Sequence, residues 1–116
     1  MRGPRSEKIR LLRMRDAADR ILREYAALNG ERLNDDDLRY HGLLRLVGII
    51  GEAAYKLTPE LRTAHPEVPW KQIIGTRHFI VHEYDNVDES RIWDIIAHSL
   101  PALRQQLQHI LDTLPE

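Results

Sequence analysis

Arg77, His78, His82 and Tyr84 lie within eight residues of one another, around the apolar run Phe79, Ile80 and Val81. Arginine presents a planar, permanently charged fork of donors that fits phosphate oxygens. Histidine, with an unperturbed pKa of about 6.5, gives or takes a proton near neutrality. Tyrosine adds a hydroxyl. The combination suits phosphate binding coupled to proton transfer.

Spacing limits how these groups meet. Residues 77 and 82 are five apart, about 140° around an ideal helix and roughly 7.5 Å along it. They reach one phosphate only if the helix end bends or a second surface completes the site. His78 and His82 are an i,i+4 pair, which is metal-ligand spacing. Two imidazoles are only half of a tetrahedral set, however, and the glutamate of the HExxH pattern is missing, so no metal and no cofactor is expected.

The elements that must carry these residues read as helices. From Ser6 to Leu28, Ile9, Leu12, Ala17, Ile21, Leu22, Tyr25 and Leu28 recur at helical spacing, and Asn29-Gly30 closes the segment. Asn34 to Asp37 supplies a cap and negative charge for a second helix, whose stripe is Leu38, Leu43, Leu44, Val47, Ile50, Ala54 and Leu57. Inside it, Gly48 and Gly51 each cost about 1 kcal/mol relative to Ala, which implies a close neighbour that wants them small.

Thr58-Pro59-Glu60-Leu61 reads as a cap, a proline at the first helical position and a short helical turn. The connector His65 to Pro69 is kept extended by proline, and Pro69 opens a third long helix, about 69 to 83, with Trp70, Ile73, Ile74, Ile80 and Val81 apolar. Asp85-Asn86 signals a turn. Asp88 then caps a fourth helix with Ile92, Trp93, Ile95, Ile96, Leu100, Leu103, Leu107, Ile110 and Leu111, interrupted near Ser99 by Pro101. The expected fold is all-α: an antiparallel up-and-down four-helix bundle with a short extra turn, residues 1–116 forming a single domain.

Composition narrows the rest. There are no cysteines, so neither a disulfide framework nor a thiolate metal site is available. No apolar run approaches the roughly 18 to 20 residues that span a bilayer, and the charged N-terminus is not a signal peptide, so a cytoplasmic location is expected. Charge is uneven: residues 1–30 carry +4, residues 31–82 zero and residues 83–116 −5. The basic first segment (Arg2, Arg5, Lys8, Arg10, Arg13, Arg15, Arg20, Arg23) is either a phosphate-facing strip or a solvated face pairing with acidic neighbours, the commoner case.

In this setting the span from Leu43 through Leu103 resembles the HepT-type HEPN domain. The resemblance rests on Ile50-Gly-Glu-Ala53, the connector Pro66-Glu-Val-Pro-Trp70, the segment Arg77 to Tyr84 with its R-x4-H-x-Y spacing, and Trp93 with Leu100-Pro101. It implies the toxin half of a toxin-antitoxin pair: a metal-independent endoribonuclease acting on RNA as a homodimer, two motifs facing each other across a cleft. Its antitoxin is a minimal nucleotidyltransferase, MntA. On this resemblance Arg77 and His82 are catalytic, and Tyr84 receives AMP from the antitoxin. The family commonly has asparagine after the arginine. His78 stands there in this chain, where it assists, substitutes or is neutral.

Plainer roles stand beside these. Arg77 forms an ion pair with Glu52 or another carboxylate, or Glu52 orients Arg77 for catalysis. His82 meets the helix dipole and Tyr84 packs at the bundle end. Trp70 and Trp93 are core or interface residues. The alternative function is a noncatalytic HEPN-like partner subunit of a minimal nucleotidyltransferase.

Overall fold

A computed structural model describes residues 4–82 and 88–115, with side chains described for 5–80 and 88–115. The described chain is all-α: α1 (Pro4–Ala27), α2 (Leu38–Lys56), the short α3 (Pro59–Ala64), α4 (Trp70–His82), α5 (Glu89–Asp94), a π-helical turn (Ile95–Ser99) and α6 (Leu100–Thr113).

Local chemistry sets most boundaries. α1 starts at Pro4, two residues before the expected Ser6, with proline in the first turn, where no backbone N–H is missed. After it, Asn29 (φ 51°) and Gly30 (φ 87°) turn the chain in the left-handed region. Asp37 caps α2 by accepting from Arg39 N–H at 2.9 Å, Thr58 caps α3 by accepting from Leu61 N–H at 3.2 Å, and Asp88 caps α5 by accepting from Ser90 N–H at 3.0 Å. α4 begins at Trp70 rather than Pro69, whose carbonyl accepts from Ile73 N–H at 3.1 Å.

The interruption expected near Ser99 is the π turn, across which α5 and α6 remain one rod: Leu100 N–H reaches back to Ile95 C=O. Pro101 has no N–H for Ala97 C=O and its ring crowds that carbonyl; the wider turn relieves the crowding without ending the helix.

α1 packs on α2 and on α6, and α2 packs on α4. Arg15 meets Gln108 at 3.2 Å while Asp19 accepts from Arg104 at 2.8 Å, so α6 runs antiparallel to α1. Glu7, only 6 % exposed, accepts from the Thr58 backbone N–H at 3.2 Å and its hydroxyl at 2.9 Å, tying the start of α1 to the end of α2. Leu11, Met14, Ile21, Leu44, Leu57, Ile92, Ile96, Leu107 and Ile110 are fully enclosed. Trp93 sits in this core between Tyr25 and Tyr40, each ring 6.3 Å away, and Trp70 is buried with its indole N–H donating to His65 C=O at 2.9 Å.

Two assignments to the apolar stripes are corrected. Ile9 is 50 % exposed and Leu38 is 86 % exposed, so neither belongs to the core. Gly48 is also corrected: a Cβ there would meet nothing within 4 Å, so no close neighbour accounts for it. Gly51 does have one, in Arg77 and Ile73 of α4. No described helix is long and apolar enough to cross a membrane.

Candidate active site around Arg77

The site begins with a glycine. α2 and α4 approach so closely at Gly51 that a Cβ there would lie 2.6 Å from the Arg77 Cβ, 3.0 Å from Ile73 O and 3.2 Å from the Arg77 Cα. Only a residue without a side chain lets the α4 backbone sit there. One turn further along the same face of α2 is Tyr55, and the Arg77 guanidinium lies over its ring, 5.2 Å from the centroid.

Arg77 is half-buried, and among the described residues Tyr55 is its one partner: no carboxylate pairs with it. The alternative in which Glu52 pairs with Arg77 is not realised. Glu52 bonds instead to Lys56 Nζ at 3.4 Å, one turn along α2. A cation–π contact with a ring face leaves the in-plane N–H donors of a guanidinium unoccupied by the ring, whereas an ion pair with Glu52 would have engaged them.

His78 is exposed and lines a groove of about 890 Å³ between α4 and the α5–α6 rod. Its surroundings there include Phe79, Arg91, Asp94 and Ser99, with the Arg91 guanidinium 4.6 Å from the Phe79 centroid. Arg77 and His78 are therefore presented to different neighbours, one to α2 and the other to the α4–α5 groove. Ile80 is buried and Phe79 packs against the core, anchoring this part of α4.

α4 is helical through His82, so backbone positions 77 and 82 keep the 140° separation of an ideal helix. The His82 side chain and the whole of Tyr84 lie outside the described residues.

Sequence reasoning missed Tyr55. The signal was present: Gly51 and Tyr55 are i,i+4 and share a helix face, but only the docking of α4 shows what that face receives.

A family profile described as Ribonuclease HepT-like matches residues 6–110, nearly the whole chain. The chain belongs to this family. A relative named "Putative RNase" from Caldanaerobacter subterraneus is 34 % identical over 91 residues, 78 % of this chain and 81 % of that protein. Another of the same name from Methanocaldococcus jannaschii is 31 % identical over 78 residues, 67 % of this chain and 71 % of that one. A protein from Thermococcus cleftensis named "Probable ribonuclease HepT" is 28 % identical over 68 residues, 59 % of this chain and 62 % of that one. No solved structure matches. For a HepT-like chain, the all-α bundle agrees with the expected HEPN-like architecture.

Proposed function

We propose that this HepT-like chain is a metal-independent endoribonuclease, the toxin of a HepT/MntA-type toxin-antitoxin pair. The observation that carries the reading is the HepT-like match over residues 6–110, within which Arg77, His82 and Tyr84 stand at the R-x4-H-x-Y spacing. The placement of Arg77 over the Tyr55 ring, with Glu52 bonded to Lys56 instead, supports its role as phosphate ligand.

In this mechanism one His82 removes the proton of a ribose 2′-hydroxyl, whose oxygen attacks the adjacent phosphorus. Arg77 balances the negative charge that grows on the phosphorane. A second histidine gives its proton to the departing 5′-oxygen. The products are a 2′,3′-cyclic phosphate and a 5′-hydroxyl. With His82 in both proton-transfer roles two chains are required, and a homodimer also answers the five-residue spacing, since Arg77 and His82 of one helix diverge while those of two facing helices share a cleft. An MntA-like nucleotidyltransferase places AMP on the Tyr84 hydroxyl. The added bulk and negative phosphate, two residues from His82, block RNA by sterics and like-charge repulsion.

The test is expression without and with the antitoxin, alongside cleavage by the purified chain. Growth arrest is expected, relieved by Arg77→Ala or His82→Ala, with cyclic-phosphate ends on the RNA fragments. Undiminished cleavage by His82→Ala overturns the mechanism. A purified chain that binds a nucleotidyltransferase but cleaves no RNA would instead be the noncatalytic partner subunit.

A further inference from the structure

Seven of the 17 cations in the chain sit on described residues of α1, and the fold sorts them. Arg15 meets Asp16 at 3.3 Å and Gln108 at 3.2 Å, facing α6, so for this residue the solvated, paired reading holds. Arg10, Arg13 and Arg20 behave differently. At helical angles of 0°, about 300° and about 280° they form one stripe, which turns toward α2.

There they line two adjoining depressions along the α1–α2 seam, of about 380 and 510 Å³, which share Arg45 and Ile49 of α2. The depressions form one groove, with an apolar floor that includes Ile49 and a rim of guanidinium groups. Its carboxylates are few: Glu52 is engaged by Lys56, and Glu24 lies at the other end. Arg10, Arg13, Arg20 and Arg45 enter no ion pair or hydrogen bond among the described residues. Arg10 Nη1 is buried without a hydrogen-bond acceptor among the described residues, an arrangement that costs free energy.

We propose that the α1–α2 groove is a binding track for the phosphodiester backbone of single-stranded RNA, held by Arg10, Arg13, Arg20 and Arg45. It rests on the ribonuclease reading for its substrate and goes beyond it in location. From Arg10 to Arg20 is about 15 Å of helix, the length of roughly four stacked nucleotides at about 3.4 Å each. The groove ends at Glu52 and Lys56, on the same two turns of α2 whose Gly51 and Tyr55 receive Arg77. Glu52 and Lys56 lie about 100° and 140° around α2 from Gly51, so the groove runs beside the face of α2 that receives Arg77. An overall charge of −1 conceals the track, because the +4 of residues 1–30 is cancelled by the −5 of residues 83–116.

The experiment uses the full chain and a fluorescent RNA of about 12 nucleotides whose 2′-O-methyl groups prevent cleavage, followed by anisotropy between about 50 and 200 mM salt. Arg13→Ala/Arg45→Ala should bind about tenfold more weakly, with the salt slope reduced by roughly 0.7 for each phosphate no longer neutralised, whatever the base sequence. Arg13→Lys/Arg45→Lys, which keeps both charges, should retain the wild-type slope. Thermal melting of each variant shows that the weaker binding does not come from unfolding.

Wild-type affinity and slope in a folded double-alanine variant overturn the groove while leaving the ribonuclease reading untouched. If that variant also fails to capture the nucleotidyltransferase, the groove is a protein interface and the proposal is equally overturned. Absence of RNA cleavage by the wild-type chain defeats the ribonuclease reading, and absence of RNA binding defeats the groove.

Discussion

Gly51 and Arg77 meet backbone to backbone: a Cβ on the glycine would fall 2.6 Å from the Cβ of the arginine. The missing side chain on α2 thus sets the position of α4 and of the guanidinium it carries. Tyr55, one turn on, then fixes where that guanidinium rests, 5.2 Å from the ring centroid to its carbon.

Gly51→Ala must push α4 away, against Ile73 O as well as Arg77, and is expected to destabilise the bundle by about 1–3 kcal/mol. Gly48→Ala meets nothing within 4 Å and should stabilise it by up to about 1 kcal/mol through helix propensity. Urea unfolding of the two variants checks the contrast; equal effects would show that the close approach at Gly51 is not maintained in solution.

Tyr55 is 49 % exposed, so on the proposed phosphate-binding role of Arg77 its substitution is expected to affect cleavage more than the fold. A surface cation–π contact is worth about 0.5–1 kcal/mol, so Tyr55→Ala should slow cleavage about 2- to 5-fold. Tyr55→Phe keeps the ring face and should restore the rate. A slow phenylalanine variant would mean that the hydroxyl, not the ring beneath Arg77, is what matters.

Glu7 is buried against Thr58, and its removal leaves the Thr58 N–H without its acceptor. Glu7→Ala is expected to lower stability by about 1–3 kcal/mol, with Glu7→Gln closer to wild type because an amide oxygen still accepts. Thermal melts of both variants, read against wild type, measure the difference.

Asp37 is held below the usual carboxylate pKa, first by its side-chain hydrogen bond from Arg39 and then by the Arg39 backbone N–H. A depressed folded pKa means stability that is present above the unfolded pKa, about 3.9, and lost as pH falls through the folded value. Asp37→Asn keeps a capping oxygen but removes the charge. Its melting temperature should lie slightly below wild type at neutral pH, with the gap closing at pH values under about 4. A gap that stays constant from neutral pH to acid would remove the charge from the explanation.

The features legible in the sequence alone are local. Asn29-Gly30, Asp37, Thr58-Pro59 and Asp88 act on backbone groups within a few residues, so the turn after α1 and the starts of α2, α3 and α5 are legible as written. The R-x4-H-x-Y spacing and its surrounding pattern are likewise legible, and they led to the HepT-like family. Tertiary structure decided what faces what. Helical periodicity marks a stripe but not the helix that covers it, which is why Ile9 and Leu38 lie exposed and why Gly51, not Gly48, receives a neighbour. The same holds for charge. Only interhelical docking places Arg15 and Arg104 beside α6 and α1 partners, leaves Arg10, Arg13, Arg20 and Arg45 along an open seam, and lays Arg77 on Tyr55 instead of Glu52.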